Sequence, residues 1–330
     1  MNTAALAFQD HDYGITTIDA AYVRPGLAAI HLLRENNHAM LIDTGTSYSV
    51  PGILDVLKTK NLSPQQVEYI VVTHVHLDHA GGAGALMQVC PQAKLIVHPR
   101  GAQHMIDPAR LIIGTQAVYG EKKFQRLYGD IPKIPEARVI QADDTYELDF
   151  HGRELLFLDT PGHALHHFCI FDHSSQSLFT GDTFGLSYRG FDQNTNNKQG
   201  AFVFPATTPI QFDPGALHAS INRLLSYPAK KAYLTHYGEV TELPRLAENL
   251  HQLIDEFVRI TGEIALAHAQ DKQQRHTLLV QALSDCLITR LQAHDCQQSK
   301  QQIQNQLAMD IELNAQGLEN WWDKTQAMHH

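Results

Sequence analysis

The stretch Thr73-His74-Val75-His76-Leu77-Asp78-His79-Ala80-Gly81-Gly82 puts three histidines and an aspartate within six residues. Imidazole nitrogen and carboxylate oxygen together suit a borderline divalent ion, zinc first, and also iron or manganese. On an extended segment, residues two apart point the same way, so His74 and His76 can grip one ion together. The chain then turns and redirects Asp78 and His79, which can serve a second ion beside the first. The glycines let backbone pass close by and start a helix without side-chain clashes. The competing explanation is a surface turn that happens to be rich in histidine. Ligands at this density beside a buried strand argue against it.

The elements on either side must hold this cluster in place. Val67-Glu68-Tyr69-Ile70-Val71-Val72 is short, apolar and partly β-branched, which predicts a buried strand. After the cluster, Ala80-Gly81-Gly82-Ala83-Gly84 opens a helix through Leu86, Met87 and Val89. The ligands therefore sit where a strand hands over to a helix, the end of an open α/β sheet at which ligands bind. Upstream, residues 28–33 and 39–42 flank Arg34-Glu35-Asn36-Asn37 and predict a hairpin, whose second strand ends in Asp43-Thr44-Gly45. Residues 51–60 predict a helix and 94–99 a strand ending at His98, with a mostly helical segment over 101–130. Short strands recur at 138–140, 145–148, 154–158, 168–171 and 177–179. Residues 185–211 lack periodicity and read as a loop for substrate contact, with Tyr188, Arg189, Phe191, Asn194, Asn196 and Asn197. Asp213-Pro214 starts a helix by cap chemistry.

The pattern His-x-His-x-Asp-His after an apolar strand resembles the signature of the metallo-β-lactamase superfamily. Thr160-Pro161-Gly162-His163, Thr180-Gly181-Asp182-Thr183 and Leu234-Thr235-His236-Tyr237-Gly238 follow in that family's order. They resemble its next histidine ligand, its bridging carboxylate and its last histidine. The resemblance covers roughly residues 14–240. It implies an αββα sandwich, two facing sheets with helices outside, followed here by an all-helical extension. The domains expected are residues 1–245 for catalysis and 246–330 for the helical region.

The resemblance also implies a ligand set. One ion takes His74, His76 and His163; the other takes Asp78, His79 and His236; Asp182 bridges them. Two divalent transition-metal ions, zinc before iron or manganese, would lower the pKa of a bridging water from ~15.7 towards ~7 and stabilise an oxyanion. The activity implied is hydrolysis of a thioester or ester, as in the glyoxalase II-like branch. A lactonase is the nearest alternative, followed by an iron-dependent persulfide dioxygenase-like enzyme and a regulatory protein acting through a partner. Asp78 could also handle a proton, and Tyr237 and Tyr188 either donate a hydrogen bond to a substrate oxyanion or pack against a sheet edge. Asp43 either orients a ligand by hydrogen bonding or caps a turn. His166 and His167 read as structural, or as residues that support a ligand from behind.

Composition bounds the rest. The 330 residues carry a formal charge of −10, which argues against a broad nucleic-acid footprint. Four cysteines, far apart, form no CxxC pair and read as buried thiols. The first six residues lack the basic start and apolar core of a signal peptide, and no stretch approaches the ~20 apolar residues of a membrane span. A cytoplasmic protein with a small-molecule substrate is expected. His329-His330 read as a tag remnant. Leucines at helical spacing from Leu246 onward predict three helices, the third ending near Trp321-Trp322. These helices pack as core, or serve as a lid or a homodimer face.

Overall fold

A computed structural model describes residues 6–192, 200–207 and 209–328. The expectations placed on Asn194, Asn196 and Asn197, on Met1 to Ala5 and on His329-His330 fall outside these described residues. The chain divides into two compact units. One comprises Met1–Asp159, His166–Gly181 and Pro228–Glu239; the other comprises Thr160–Leu165, Asp182–Tyr227 and Val240–His330.

Two mixed sheets make up the first unit, save for the last residue of the last strand. The first sheet holds seven strands in chain order: β1 Phe8–Asp10, β2 Ile15–Asp19, β3 Ala29–Glu35, β4 His38–Ile42, β5 Val67–Val71, β6 Lys94–Val97 and β7 Val139–Gln141. Short turns join β1 to β4, which run antiparallel, and the expected hairpin is β3–β4 with His31 opposite Ile42. From β4 to β7 the pairing is parallel, because helical crossovers intervene. These are α1 Val50–Thr59, α2 Leu77–Ala80, α3 Ala83–Val89, α4 Pro99–Ile106, α5 Ala109–Tyr119 and α6 Glu121–Tyr128. The last three break the expected helical segment into a run of short helices.

The second sheet contains β8 Glu147–Phe150, β9 Arg153–Asp159, β10 Phe168–Asp172, β11 Ser177–Phe179, β12 Lys231–Leu234 and β13 Gly238–Val240, in reverse order across the sheet. Strand alternation sends Ile15, Leu33, Met40, Ile42, Val71 and Ile96 of one sheet towards Phe150, Phe157, Phe168, Ile170, Phe179 and Tyr233 of the other. Together they form the buried core. Arg153 lies in this interior at 1% exposure, matched by the fully buried Asp172.

The second unit is helical: α7 Pro214–Leu225, α8 Leu243–Ala267, α9 Lys272–Ala293 and α10 Lys300–Met328. Asp213 caps α7 as expected, its side chain accepting from Ala216 N at 2.9 Å. The apolar stripes of the three long helices are buried through Leu246, Leu250, Leu253, Phe257, Leu279, Leu283, Leu287, Leu291, Ile303, Leu307, Ile311 and Leu318. Leu278, expected in the same stripe, is 37% exposed. The third helix does not end at Trp321-Trp322 but runs on to Met328. Trp322 is part of its packing surface, close enough to Gly262 that a methyl there would sit 3.1 Å from the indole. Among the described residues no helix is long and apolar enough to cross a membrane.

Candidate metal centre

Two neighbouring parallel strands deliver the cluster. β4 ends at Ile42, and Asp43 follows with a φ of +59°, turning its carboxylate back towards the end of β5. There it accepts from Thr73 N at 2.8 Å and Thr73 Oγ1 at 3.0 Å. His76 is the extended residue that opens α2, so Asp78 and His79 are carried around the turn as expected. Gly82 is needed because a Cβ there would lie 2.6 Å from the Thr44 carbonyl oxygen.

The far side of each imidazole fixes its tautomer. His79 Nδ1 lies 2.9 Å from Asp43 Oδ2, a carboxylate that can only accept, so His79 presents Nε2 as an acceptor. His236 Nδ1 donates to the Leu27 carbonyl at 2.6 Å, with the same consequence for its Nε2. These two Nε2 atoms face each other at 3.3 Å, and Asp78 Oδ2 is 3.3 Å from that of His236. Three acceptor atoms thus converge within 4.8 Å. One proton can bridge two of them; a divalent cation satisfies all three, so Asp78, His79 and His236 fit one such ion. Beside them His74 and His76 meet through Nε2 and Nδ1 at 2.7 Å, their rings at 82°. Thr73 Oγ1, whose proton goes to Asp43, lies 3.2 Å from His74 Nδ1 and accepts from it, which leaves His74 Nε2 as the acceptor.

The second unit brings the other two expected ligands together. His163 Nδ1 donates to the Ala206 carbonyl at 2.9 Å, and Asp182 Oδ2 is 3.4 Å from His163 Nε2. Their loops are tied by Thr183 Oγ1 donating to the Thr160 carbonyl and by Ser220 Oγ of α7 donating to the Pro161 carbonyl. Gly162, at a φ of +124°, packs so tightly on α7 that a Cβ would meet Leu217 N at 2.3 Å.

The expected hydrogen-bond donors divide. Tyr237 is half-buried beside His236. Tyr188, expected to face substrate, is 1% exposed and donates its only proton to Asp310 of α10 at 2.8 Å. His166 Nδ1 accepts from Val75 N, and the His167 ring packs 4.9 Å from that of His74. His98 is a strand-end residue as expected, capping α4 by accepting from Arg100 N at 3.1 Å.

The sequence reading missed a tyrosine group close to Asp78. Tyr22 and Tyr128 share a hydrogen bond at 3.0 Å, and the Tyr119 ring lies 6.1 Å from that of Tyr128. Burial first, and then the Asp78 charge, push Tyr119 up to about 12; burial, then Tyr22, then the Asp78 charge raise Tyr128 further. Tyr119 and Tyr128 sat in the helical pattern as apolar positions, so only their hydroxyls could have flagged them.

The profile of the metallo-beta-lactamase superfamily matches residues 23–236. The chain belongs to this superfamily. A metallo-beta-lactamase fold-containing protein of Sulfurisphaera tokodaii is 28% identical over 260 residues, covering 76% of this chain and 88% of its own. A hydroxyacylglutathione hydrolase of Aeromonas hydrophila is 27% identical over 201 residues, 60% of this chain and 56% of its own. Among solved structures, an archaeal metallo-beta-lactamase superfamily protein from Sulfolobus tokodaii shares the fold. It has a TM-score of 0.62 at 23% identity and covers 94% of this chain and 99% of its own. That coverage extends beyond the residues matched by the superfamily profile.

Proposed function

We propose that this chain is a metal-dependent hydrolase that cleaves a thioester or ester at a centre of two divalent ions. The observation that carries this reading is the convergence of Asp78 Oδ2, His79 Nε2 and His236 Nε2, acceptor atoms that one cation can satisfy together. By the family's order of motifs, His74, His76 and His163 hold one ion, Asp78, His79 and His236 hold the other, and Asp182 joins the two. Zinc suits these donors first, iron or manganese next. When bound, such ions acidify a water and polarise a carbonyl.

The chain's own residues do the rest. Asp43, the Leu27 carbonyl and the Ala206 carbonyl hold His79, His236 and His163 by their Nδ1 atoms. Asp78, its side chain 23% exposed, is the most accessible acceptor in its trio and takes up the proton released on the way to product. Tyr237 follows His236 in the chain, and Tyr119 and Tyr128 lie close enough to Asp78 to feel its charge. The hydroxyacylglutathione hydrolases among the relatives support a thioester before a lactone. Four buried free cysteines support a reducing, cytoplasmic setting.

Metal content, together with hydrolysis of a panel of thioesters and lactones, tests the reading. Two ions per chain and metal-dependent thioester cleavage are expected. Faster lactone cleavage would move the assignment to a lactonase. Iron with oxygen uptake and no hydrolysis would replace it with redox chemistry.

A further inference from the structure

A second group of metal-ligating side chains lies far from the strand ends that carry the candidate centre. His38 begins β4, whose other end leads into Asp43, and Glu68 lies near the start of β5, whose other end leads into Thr73. At ~3.3 Å per residue, the five steps from His38 to Asp43 put about 16 Å between the two places. His151 comes from the second sheet, in the two-residue turn His151-Gly152 that joins β8 to β9 with Phe150 opposite Arg153. Both turn residues have positive φ, 55° and 89°, the conformation of a tight hairpin turn that presents its first side chain rigidly.

These three segments, remote in sequence, bring their donor atoms to one point. His38 Nδ1 is 2.5 Å from Glu68 Oε1, and His151 Nε2 is 2.8 Å from Glu68 Oε2. The imidazoles lie face to face, centroids 3.5 Å apart at 17°, closer than the ~4.5–7 Å of ordinary aromatic pairs. Two rings so stacked repel if both are protonated. A single cation on the facing nitrogens removes that conflict. Burial works to raise the Glu68 pKa, but the hydrogen bonds from His151 and His38 outweigh it and hold the group below its ordinary value, so it is a carboxylate at neutral pH.

We propose that His38, Glu68 and His151 form a peripheral divalent-cation site, suited to zinc, that clips the β8–β9 turn of one sheet to β4 and β5 of the other. Two imidazoles and one carboxylate are a recognised zinc donor set, and water completes the tetrahedron. All three side chains are about one-third exposed, at 38%, 32% and 34%, which leaves room for that water. On binding, the ring protons now directed at Glu68 move to His38 Nε2 and His151 Nδ1, which frees the nitrogens facing Glu68 to act as ligands. Because the ligands come from both sheets, the ion binds the folded state alone and stabilises it.

The test compares full-length wild type with His38→Ala/His151→Ala and with Glu68→Gln, each stripped by chelator and reloaded with zinc. Wild type should retain one zinc more per chain than either variant. That difference does not depend on how many ions the candidate centre takes, so the two assignments fail separately. Zinc should also raise the wild-type Tm by on the order of 3 °C more than that of the variants. The near-isosteric Glu68→Gln guards against misfolding of the double variant. Equal zinc content in all three proteins, or an extra ion that dissociates above about 1 mM, would overturn the proposal.

Discussion

His79 Nδ1 lies 2.9 Å from Asp43 Oδ2, and neither side chain is reached by solvent. The same carboxylate accepts from Thr73 N, Thr73 Oγ1 and Thr235 Oγ1, the last at 2.6 Å. One buried group thus ties the ends of β4, β5 and β12 together and aims the imidazole of a proposed metal ligand.

Asp43→Asn should be a severe change despite its size. Four donors converge on the carboxylate, and an amide NH2 would face one or more of them donor to donor. Groups that orient a metal ligand are typically worth about 10- to 100-fold in affinity or activity. Metal titration and hydrolysis rate should both fall by that factor, while circular dichroism shows an intact fold. Unchanged metal affinity would mean that Asp43 only caps a turn.

A second buried pair carries stability. Arg153 Nε and Nη2 both donate to Asp172 Oδ2, at 3.1 and 2.5 Å, and Nη1 donates to the Tyr13 carbonyl at 2.7 Å. Arg153→Met removes the cation and leaves a charged carboxylate in the interior, at a cost of about 3–5 kcal/mol. Converting both partners, Arg153→Met with Asp172→Leu, should recover much of that loss. Urea midpoints for the two variants measure the difference. Similar losses in both would assign the effect to packing instead.

Much of this arrangement is legible from local sequence. The ligand motifs at 74–79, 163, 182 and 236 each follow a short apolar run, so strand ends and candidate ligands appear together. The hairpin around residues 34–37 and the Asp213 cap are equally local. What escaped depends on partners far away in the chain. The Tyr188 hydroxyl donates to Asp310, more than a hundred residues on, a partner its motif neighbourhood does not announce. His38, Glu68 and His151 look like unrelated surface residues until the β8–β9 turn meets β5. The aromatic pair at 321–322 resembles a helix end, but packing against Gly262 carries the helix past it.

His31 makes stability depend on pH. It is 1% exposed between the Phe179 and Tyr233 rings, with Thr17 Oγ1 and the Leu234 carbonyl at its nitrogens. Burial pushes its pKa down to about 4, with the Asp43 charge and the Leu234 carbonyl opposing the shift and His11 adding to it. The ordinary value of a histidine is 6.5, so below that pH the unfolded chain takes up a proton that the folded chain refuses. Stability from this group is therefore complete above about pH 6.5, falls as the pH drops towards about 4, and levels off below. The loss is on the order of 3 kcal/mol. Urea midpoints across that range should slope for wild type and flatten for His31→Phe. Parallel slopes would place the titration elsewhere.

Asp182→Ala tests the heart of the proposed chemistry. Asp182 is 6% exposed, with Oδ2 3.4 Å from His163 Nε2. If it joins two dications, alanine removes a negative charge from between them, and their repulsion is poorly screened in a site of low effective dielectric. His163 also loses its 3.4 Å contact with the Asp182 carboxylate, and placement errors of about 1 Å cost on the order of a hundredfold in rate. The variant should hold one ion fewer, or hold it weakly, with a rate loss beyond that factor and beyond that of Asp43→Asn. Metal content and turnover are to be measured at saturating zinc and, separately, at saturating iron or manganese. Should Asp182→Ala keep both ions and near-normal turnover, the carboxylate does not join them. The centre would then have to be rebuilt around Asp78, the other aspartate among the proposed ligands.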